Sequence, residues 1–458
     1  MKHIFVLAMD ELQRRELGTI RNPEQYTFHG VLDQETLVEA ETIDFDDLLD
    51  QARRSVKEAG TPVDAIIAHW DFPTSILAPI LCKEFGVPSP SLESVLKCEH
   101  KYWSRLEQAK VVPEVVPGFA CFDPFDDQAL EGIHLDFPFW IKPIKAFSSQ
   151  LGFLIENREQ FLEAQAILRE KIGRLGMAFD QALARVGLPE ELGGAGGCSC
   201  LAEELISGMQ VAPEGAVCQS RFHIHGIFDM NRGGNGTRLD RLEYPSQVPR
   251  TLQRQMEEIC EKLLAHIGFD NGCFNVEFMW DEEQDRLRLI EVNTRMSQSH
   301  SEIFILVDGM SNHEVAVEVA LGHYEGLPQQ QGPYRVAAKF ILTHPENGRV
   351  RRIPTDEEIE ALRERFPHMR IKLDVEEGMT LDQVPNQDAY NYTLGELYLG
   401  AEDHESLLER YRECVEALNF DIIPLSDRDQ NSAGGNDEHR RDVSLQDKDD
   451  RKPVHTDA

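Results

Sequence analysis

Short apolar runs bounded by polar or turn residues open the chain. His3–Met9 reads as a buried strand and Asp64–His69 as a second, followed by a helical pattern over Ser75–Phe85. Strand then helix predicts a small α/β unit closed by Pro88 and Pro90, and no G-x-G-x-x-G turn follows either strand. A helix is expected over Ser94–Gln108, with Lys97, Lys101 and Arg105 on one side, then a connector punctuated by Pro113, Pro117 and Pro124. Phe139–Pro143 reads as a strand entering a loop and Leu151–Ile155 as its antiparallel return. Glu159–Val186 carries apolar residues at helical spacing and ends at the glycine run Gly193–Gly197, expected to be a flexible loop because it precedes a strand. Strands follow over Leu201–Ile206, Val211–Phe228, Phe274–Trp280 and Arg286–Asn293, then a helix over Asn312–Leu321. Tyr334–Leu342, Ile371–Val375, Leu394–Leu399 and the amphipathic stretch Glu405–Leu418 suggest a further α/β or β-rich unit, and beyond Pro424 large apolar residues nearly vanish, which predicts disorder.

Length and charge narrow the picture. The 458 residues exceed one ordinary core, at roughly 100 to 200 residues per domain. The expected division is an amino-terminal α/β domain over 1–95, a second domain over 96–325, a carboxyl-terminal subdomain over 333–424 and a polar tail over 425–458. The formal charge is −35, and the stretch from Leu425 holds nine acidic and six basic residues, so −32 of it belongs to the remaining chain. Such acidity would repel nucleic acid and anionic membranes, so neither is expected as a partner. No run approaches the ~18 apolar residues of a membrane span, and the amino-terminal run is too short for a signal peptide, which makes cytoplasm the expected location. Nine scattered cysteines fit neither a disulfide framework nor a zinc array. His223 and His225 share a strand face but lack a third ligand at suitable spacing, which favours ordinary packing.

The chemistry concentrates in Phe274–Trp280 and Arg286–Asn293, which the polar turn between them should join into a hairpin. With side chains alternating at period two, Glu291 and Asn293 share a face. A turn centred near Glu283 would set Glu277 opposite Leu289 and diagonal to Glu291. Two carboxylates and an amide then converge, a hard-oxygen set suited to Mg²⁺ shared with nucleotide phosphates.

The segments FNVEFMW and LIEVNTRMSQSHS resemble the metal-binding end of the ATP-grasp superfamily, Glu followed by Glu-x-Asn-x-Arg, and the likeness extends from the amino-terminal unit to about Phe420. The resemblance implies an α/β (α+β) ATP-grasp fold with a Rossmann-like domain ahead of it and a carboxyl-terminal α/β subdomain. It also implies that Glu277, Glu291 and Asn293 hold two Mg²⁺ ions, with Mn²⁺ as a substitute, on the phosphates of ATP. By the same resemblance Arg295 faces the acyl phosphate or substrate carboxylate, Lys101 and Lys142 meet the phosphates, and Ser149 belongs to the covering lid, whose usual glycines are here Ala146 and Ser148. Glu203, Glu204 and Ile206 would meet adenine, Glu214 would lie near the ribose, and His300 is a candidate beside the substrate. The activity implied is ATP-dependent joining of a small carboxylate to an amine or thiol through an acyl phosphate, releasing ADP and phosphate. A homodimer is left open.

Two other readings compete. Biotin carboxylases carry a similar metal segment but need a Gln and a Glu after the Arg, where this chain has Ser297 and Ser299. A nucleotide-binding module without turnover would fit the glycine-poor lid. Ala337–Ile341, Gly348–Val350 and Gly395–Leu399 resemble instead the extra domain of dipeptide-forming amino-acid ligases, which favours carboxylate–amine ligation.

Overall fold

The computed structural model describes residues 1–39, 42–146, 151–233, 238–384 and 392–425. The lid candidate Ser149 and the tail from residue 426 lie outside them. The chain divides into two compact units, one of residues 1–229 and 245–329, the other of residues 230–244 and 330 onward.

In the first unit β1 (Lys2–Leu7), β2 (Tyr26–Val31) and β3 (Ala65–Ala68) form a parallel sheet ordered β2-β1-β3, with Val6 paired to Gly30 on one side and Ile67 on the other. Ile4, Val6 and Ile67 are buried, as continuous apolar runs in parallel strands require. Helices α1 (Glu11–Gly18), α2 (Phe45–Glu58) and α3 (Thr74–Phe85) belong to this part. Phe45 of α2 stacks on Phe72, which meets Phe179 edge-on at 5.5 Å. Each fully buried phenylalanine contributes about 1.5–3 kcal/mol.

The helix expected over Ser94–Gln108 is in fact two, α4 (Leu92–Glu99) and α5 (Lys101–Val111). His100 leaves the helical region at ψ 97° and its Nδ1 accepts the Trp103 N–H at 3.1 Å, capping the second helix. Lys97 and Lys101 therefore do not share one helical face. Strands β4 (Phe119–Phe122), β5 (Phe139–Pro143), β6 (Phe153–Ile155) and β7 (Cys200–Glu204) build an antiparallel sheet ordered β4-β7-β5-β6. Helices α6 (Arg158–Lys171) and α7 (Gly173–Leu183) lead from β6 toward β7. Of the glycine run after α7, expected as a flexible loop, Gly193 and Gly194 are exposed with open space around them, whereas Gly196 and Gly197 are packed. A Cβ on Gly197 would stand 2.2 Å from the carbonyl oxygen of Gly176, so glycine is there for close backbone approach.

A hairpin of β8 (Met209–Cys218) and β9 (Arg221–Gly233) turns at Gln219 and Ser220, both at positive φ, and β9 leads the chain through β10 (Arg238–Tyr244) of the second unit. Back in the first unit, α8 (Arg250–Ile267) precedes β11 (Gly272–Asp281) and β12 (Arg286–Asn293), and these strands lie in the order β12-β11-β8-β9. The short helices α9 (Ser301–Asp308) and α10 (Asn312–Ala320) close the unit. The second unit orders β10-β13-β16-β15, where β13 is Val336–His344, β15 is Arg370–Leu373 and β16 is Tyr392–Ala401. It also holds the pair β14 (Gly348–Arg352) and β17 (Asp421–Pro424), with α11 (Asp356–Arg365) and α12 (His404–Ala417) completing its core around Leu397, Leu399 and Leu407. Among the described residues no helix is long and apolar enough to cross a membrane.

Candidate active site

The hairpin β11–β12 forms as its alternation predicts, with Phe274, Val276 and Phe278 buried on one face. Its register differs from the expected one. Phe278 pairs with Leu289, a bulge follows at Ile290, and Glu277 stands directly opposite Glu291, with Asn275 opposite Asn293. Residues directly opposite across an antiparallel pair point the same way, about 4.5–5.5 Å apart at Cβ. The bulge therefore turns a diagonal relation of the two carboxylates into a direct one. Gln210 Nε2 donates to Glu277 Oε2 at 2.6 Å and Asn293 Nδ2 to Glu277 Oε1 at 3.3 Å. Beside them the Nδ2 of Asn275, a residue only 3% exposed, has no partner among the described residues.

Arg105 explains why the bulge is tolerated. Its guanidinium donates to the carbonyls of Leu289 at 2.9 Å and Ile290 at 2.7 Å, the two that flank the irregularity, and its Nε reaches Glu203 Oε1 at 2.5 Å. Lys142, on β5, reaches the other oxygen of Glu203 at 2.5 Å. Burial alone would raise the Glu203 carboxyl, but the charges of Arg105 and Lys142 outweigh it and hold the pKa at about 2. Arg105 was visible in the sequence only as a helix cation; its role depends on carbonyls some 180 positions away.

Lys101 Nζ donates to the Ala146 carbonyl at 2.9 Å. Burial, followed by the neighbouring Lys145 and Lys142, presses its pKa down to about 8 against the opposing pull of Glu291 and Glu99. The sequence reading missed Lys145, three residues past Lys142 and 6% exposed, whose ammonium pairs with Glu99. Glu99 also accepts from Thr294 Oγ1 at 3.2 Å, which ties α4 to the end of the hairpin.

Arg295 makes a two-bond fork with Asp71, Nε to Oδ1 at 2.8 Å and Nη2 to Oδ2 at 3.0 Å. Burial would lower the guanidinium, yet Asp71, with Glu277 and Glu291, raises its pKa above the ordinary value. Asp71 follows β3 at the carboxyl end of the parallel sheet, where open α/β sheets form ligand crevices. No sequence signal marked it; the available hint was a charged residue three positions beyond a buried strand.

The other expected residues are placed as follows. Glu204 accepts from Arg286 Nη2 at 2.6 Å and from the Gly118 N–H at 3.0 Å, and Ile206 lies partly buried between β7 and β8. Glu214 is wholly buried, and its oxygens are engaged by the Ser297 N–H at 2.9 Å, His300 Nδ1 at 2.7 Å and Asn312 Nδ2 at 2.8 Å. His300 stacks on Phe228 with ring centroids 3.6 Å apart. His225 is enclosed, burial lowering its pKa to about 4, and packs against Tyr324. Thus Lys101, Lys142, Glu277, Glu291, Asn293 and Arg295 gather in one region, Glu203 anchors its cations, and Glu214 is engaged within the protein.

Residues 135–302, which span β5 to β12 and the Arg295 segment, match the ATP-grasp domain family. The chain carries an ATP-grasp domain. Among solved structures, its fold is similar to an L-amino acid ligase from Bacillus licheniformis, with TM-score 0.68 and 17% identity over 93% of this chain and 99% of that one. It is similar also to a biotin carboxylase from Campylobacter jejuni, with TM-score 0.60 and 16% identity over 92% of each chain. An N5-carboxyaminoimidazole ribonucleotide synthetase from Thermotoga maritima gives TM-score 0.61 and 14% identity over 93% of this chain and all of that one. No curated protein matches the sequence. The ATP-grasp fold expected from the glutamate and asparagine pattern is therefore the fold of this chain.

Among the described residues no three His, Cys, Asp or Glu side chains converge as metal ligands. The ATP-grasp hairpin offers two carboxylates and amide oxygens instead, which suits a cation that completes its shell with water and phosphate. The cradle fits such a group, because two like charges set face to face call for a positive charge between them.

Proposed function

We propose that the protein joins a small carboxylate to an amine, or to a thiol, at the expense of ATP, through an acyl phosphate and with release of ADP and phosphate. The supporting observation is the direct opposition of Glu277 and Glu291, with Asn293 on the same face and Lys101 and Arg295 within their electrostatic reach. Glu277, Glu291 and Asn293 would hold two Mg²⁺ ions, and Mn²⁺ would substitute. ATP would supply the phosphoryl group and the ions would neutralise charge as it transfers. Lys101 and Lys142 bind phosphate oxygens, Lys142 being held in line by Glu203. The backbone of Glu204 to Ile206, beyond β7, would meet the adenine edge. Arg295 orients the carboxylate that is to be phosphorylated, as a guanidinium fork does. The carboxyl-terminal unit and the amino-acid ligase likeness favour an amine as the second substrate.

The test is release of ADP and phosphate by the full chain with Mg²⁺ and a panel of carboxylates and amines. Acid-stimulated ATP consumption that needs Mg²⁺ and yields a new amide or thioester is expected. ATP binding without stimulation by any acid would overturn the ligase reading.

A further inference from the structure

The fork between Arg295 and Asp71 has the arrangement in which a guanidinium takes any carboxylate, so Asp71 stands where a ligand carboxylate would stand. Both side chains remain accessible, 20% exposed for Arg295 and 32% for Asp71. The main chain beneath Asp71 is fixed: Thr74 Oγ1 donates to the carbonyls of Trp70 at 2.7 Å and Asp71 at 2.9 Å. Gln13 donates to Gln298, which in turn reaches the His69 carbonyl. The turn is thus held by bonds that do not involve the Asp71 carboxylate.

A ligand carboxylate that took Arg295 would release Asp71 into a region already holding Glu277 and Glu291. The cations that act on Asp71 after Arg295 are already engaged, Lys145 with Glu99 and Lys101 with the Ala146 carbonyl. A molecule bearing only a carboxylate therefore leaves a carboxylate unbalanced. A molecule with an ammonium on the carbon next to its carboxylate supplies both missing charges.

Resting on the carboxylate-activating reading above, we propose that Asp71 and Arg295 form the recognition site of an α-amino acid. The internal pair opens by exchange, the substrate carboxylate going to Arg295 and its ammonium to Asp71. Asp71 is in this account a specificity residue that admits zwitterions and rejects simple carboxylates.

The experiment is calorimetric titration of the full chain, loaded with Mg²⁺ and a non-hydrolysable ATP analogue. The titrants are L-amino acids, each set against its desamino acid. Wild type is expected to bind its preferred amino acid about 10- to 100-fold more tightly than the desamino partner, the range of one charge-assisted contact. Asp71→Asn should erase that ratio, and Asp71→Glu should restore part of it. Equal binding of both members of every pair by wild type overturns the proposal, and that comparison needs no variant to fold. Asp71→Asn weakening both members alike also overturns it, by showing a purely structural role. Amino-acid binding that depends on Asp71, in a protein consuming no ATP with any acid, would support the site while removing the ligase reading. ATP consumption driven equally by amino and desamino acids would do the reverse.

Discussion

Neighbouring strands of one sheet carry glutamates in opposite circumstances. Glu214 on β8 is wholly buried and three donors from Ser297, His300 and Asn312 satisfy it, so that their attraction outweighs burial and lowers its pKa. Glu277 on β11 and Glu291 on β12 are only partly buried and face each other with like charge. The first arrangement is complete without a ligand and acts as a bolt between β8 and the helices after the hairpin. The second sets two like charges face to face at a partly exposed place, with Arg295 and Lys101 in electrostatic reach, and this is the arrangement behind the cation site proposed above. Burial and hydrogen-bond saturation, more than residue type, separate the two arrangements.

The comparison breaks most directly at Glu291. Glu291→Gln should lower ATP turnover by about 10³-fold or more, ~4 kcal/mol at the transition state. Stability in urea should stay level or rise by about 0.2–1 kcal/mol, because a like-charge pair is relieved. A variant that loses stability with its activity would instead place Glu291 with Glu214. For Glu214→Ala the pattern should invert: unfolding free energy falls by about 3–5 kcal/mol as its partners are left buried without it. Turnover per folded molecule should be largely kept.

Two finer tests use pH. Glu203, with a folded pKa of about 2 against an ordinary 4.5, contributes stability that is fully present above pH 4.5 and lost as pH falls toward 2. Glu203→Gln should flatten that acid limb of the unfolding profile. Lys101 is cationic below about pH 8 and neutral above it, so ATP affinity should weaken as pH rises through 8 in a binding titration. Lys101→Met should weaken ATP by about tenfold at neutral pH and remove that dependence. The smallest effect belongs to the accessible pair of Arg286 and Glu204, 40% and 34% exposed, where Arg286→Ala should cost at most about 1 kcal/mol in urea.

Local pattern alone determined a good deal here. Alternation along Phe274–Trp280 and Arg286–Asn293 placed the hairpin and put Glu277, Glu291 and Asn293 on one side, while Lys142 was singled out by the resemblance to the ATP-grasp pattern. Tertiary structure decided the rest. The bulge at Ile290 that sets the two glutamates face to face depends on Arg105 from another helix. The break at His100 depends on a ring that caps the next helix and meets the Ala195 carbonyl. Asp71 acquires its meaning only from Arg295, which lies 224 positions away. Period-two and helical spacings report which face of one element is covered, because they follow from backbone geometry. Which charge meets which is settled by packing between distant elements, and that information resides in no single stretch of chain.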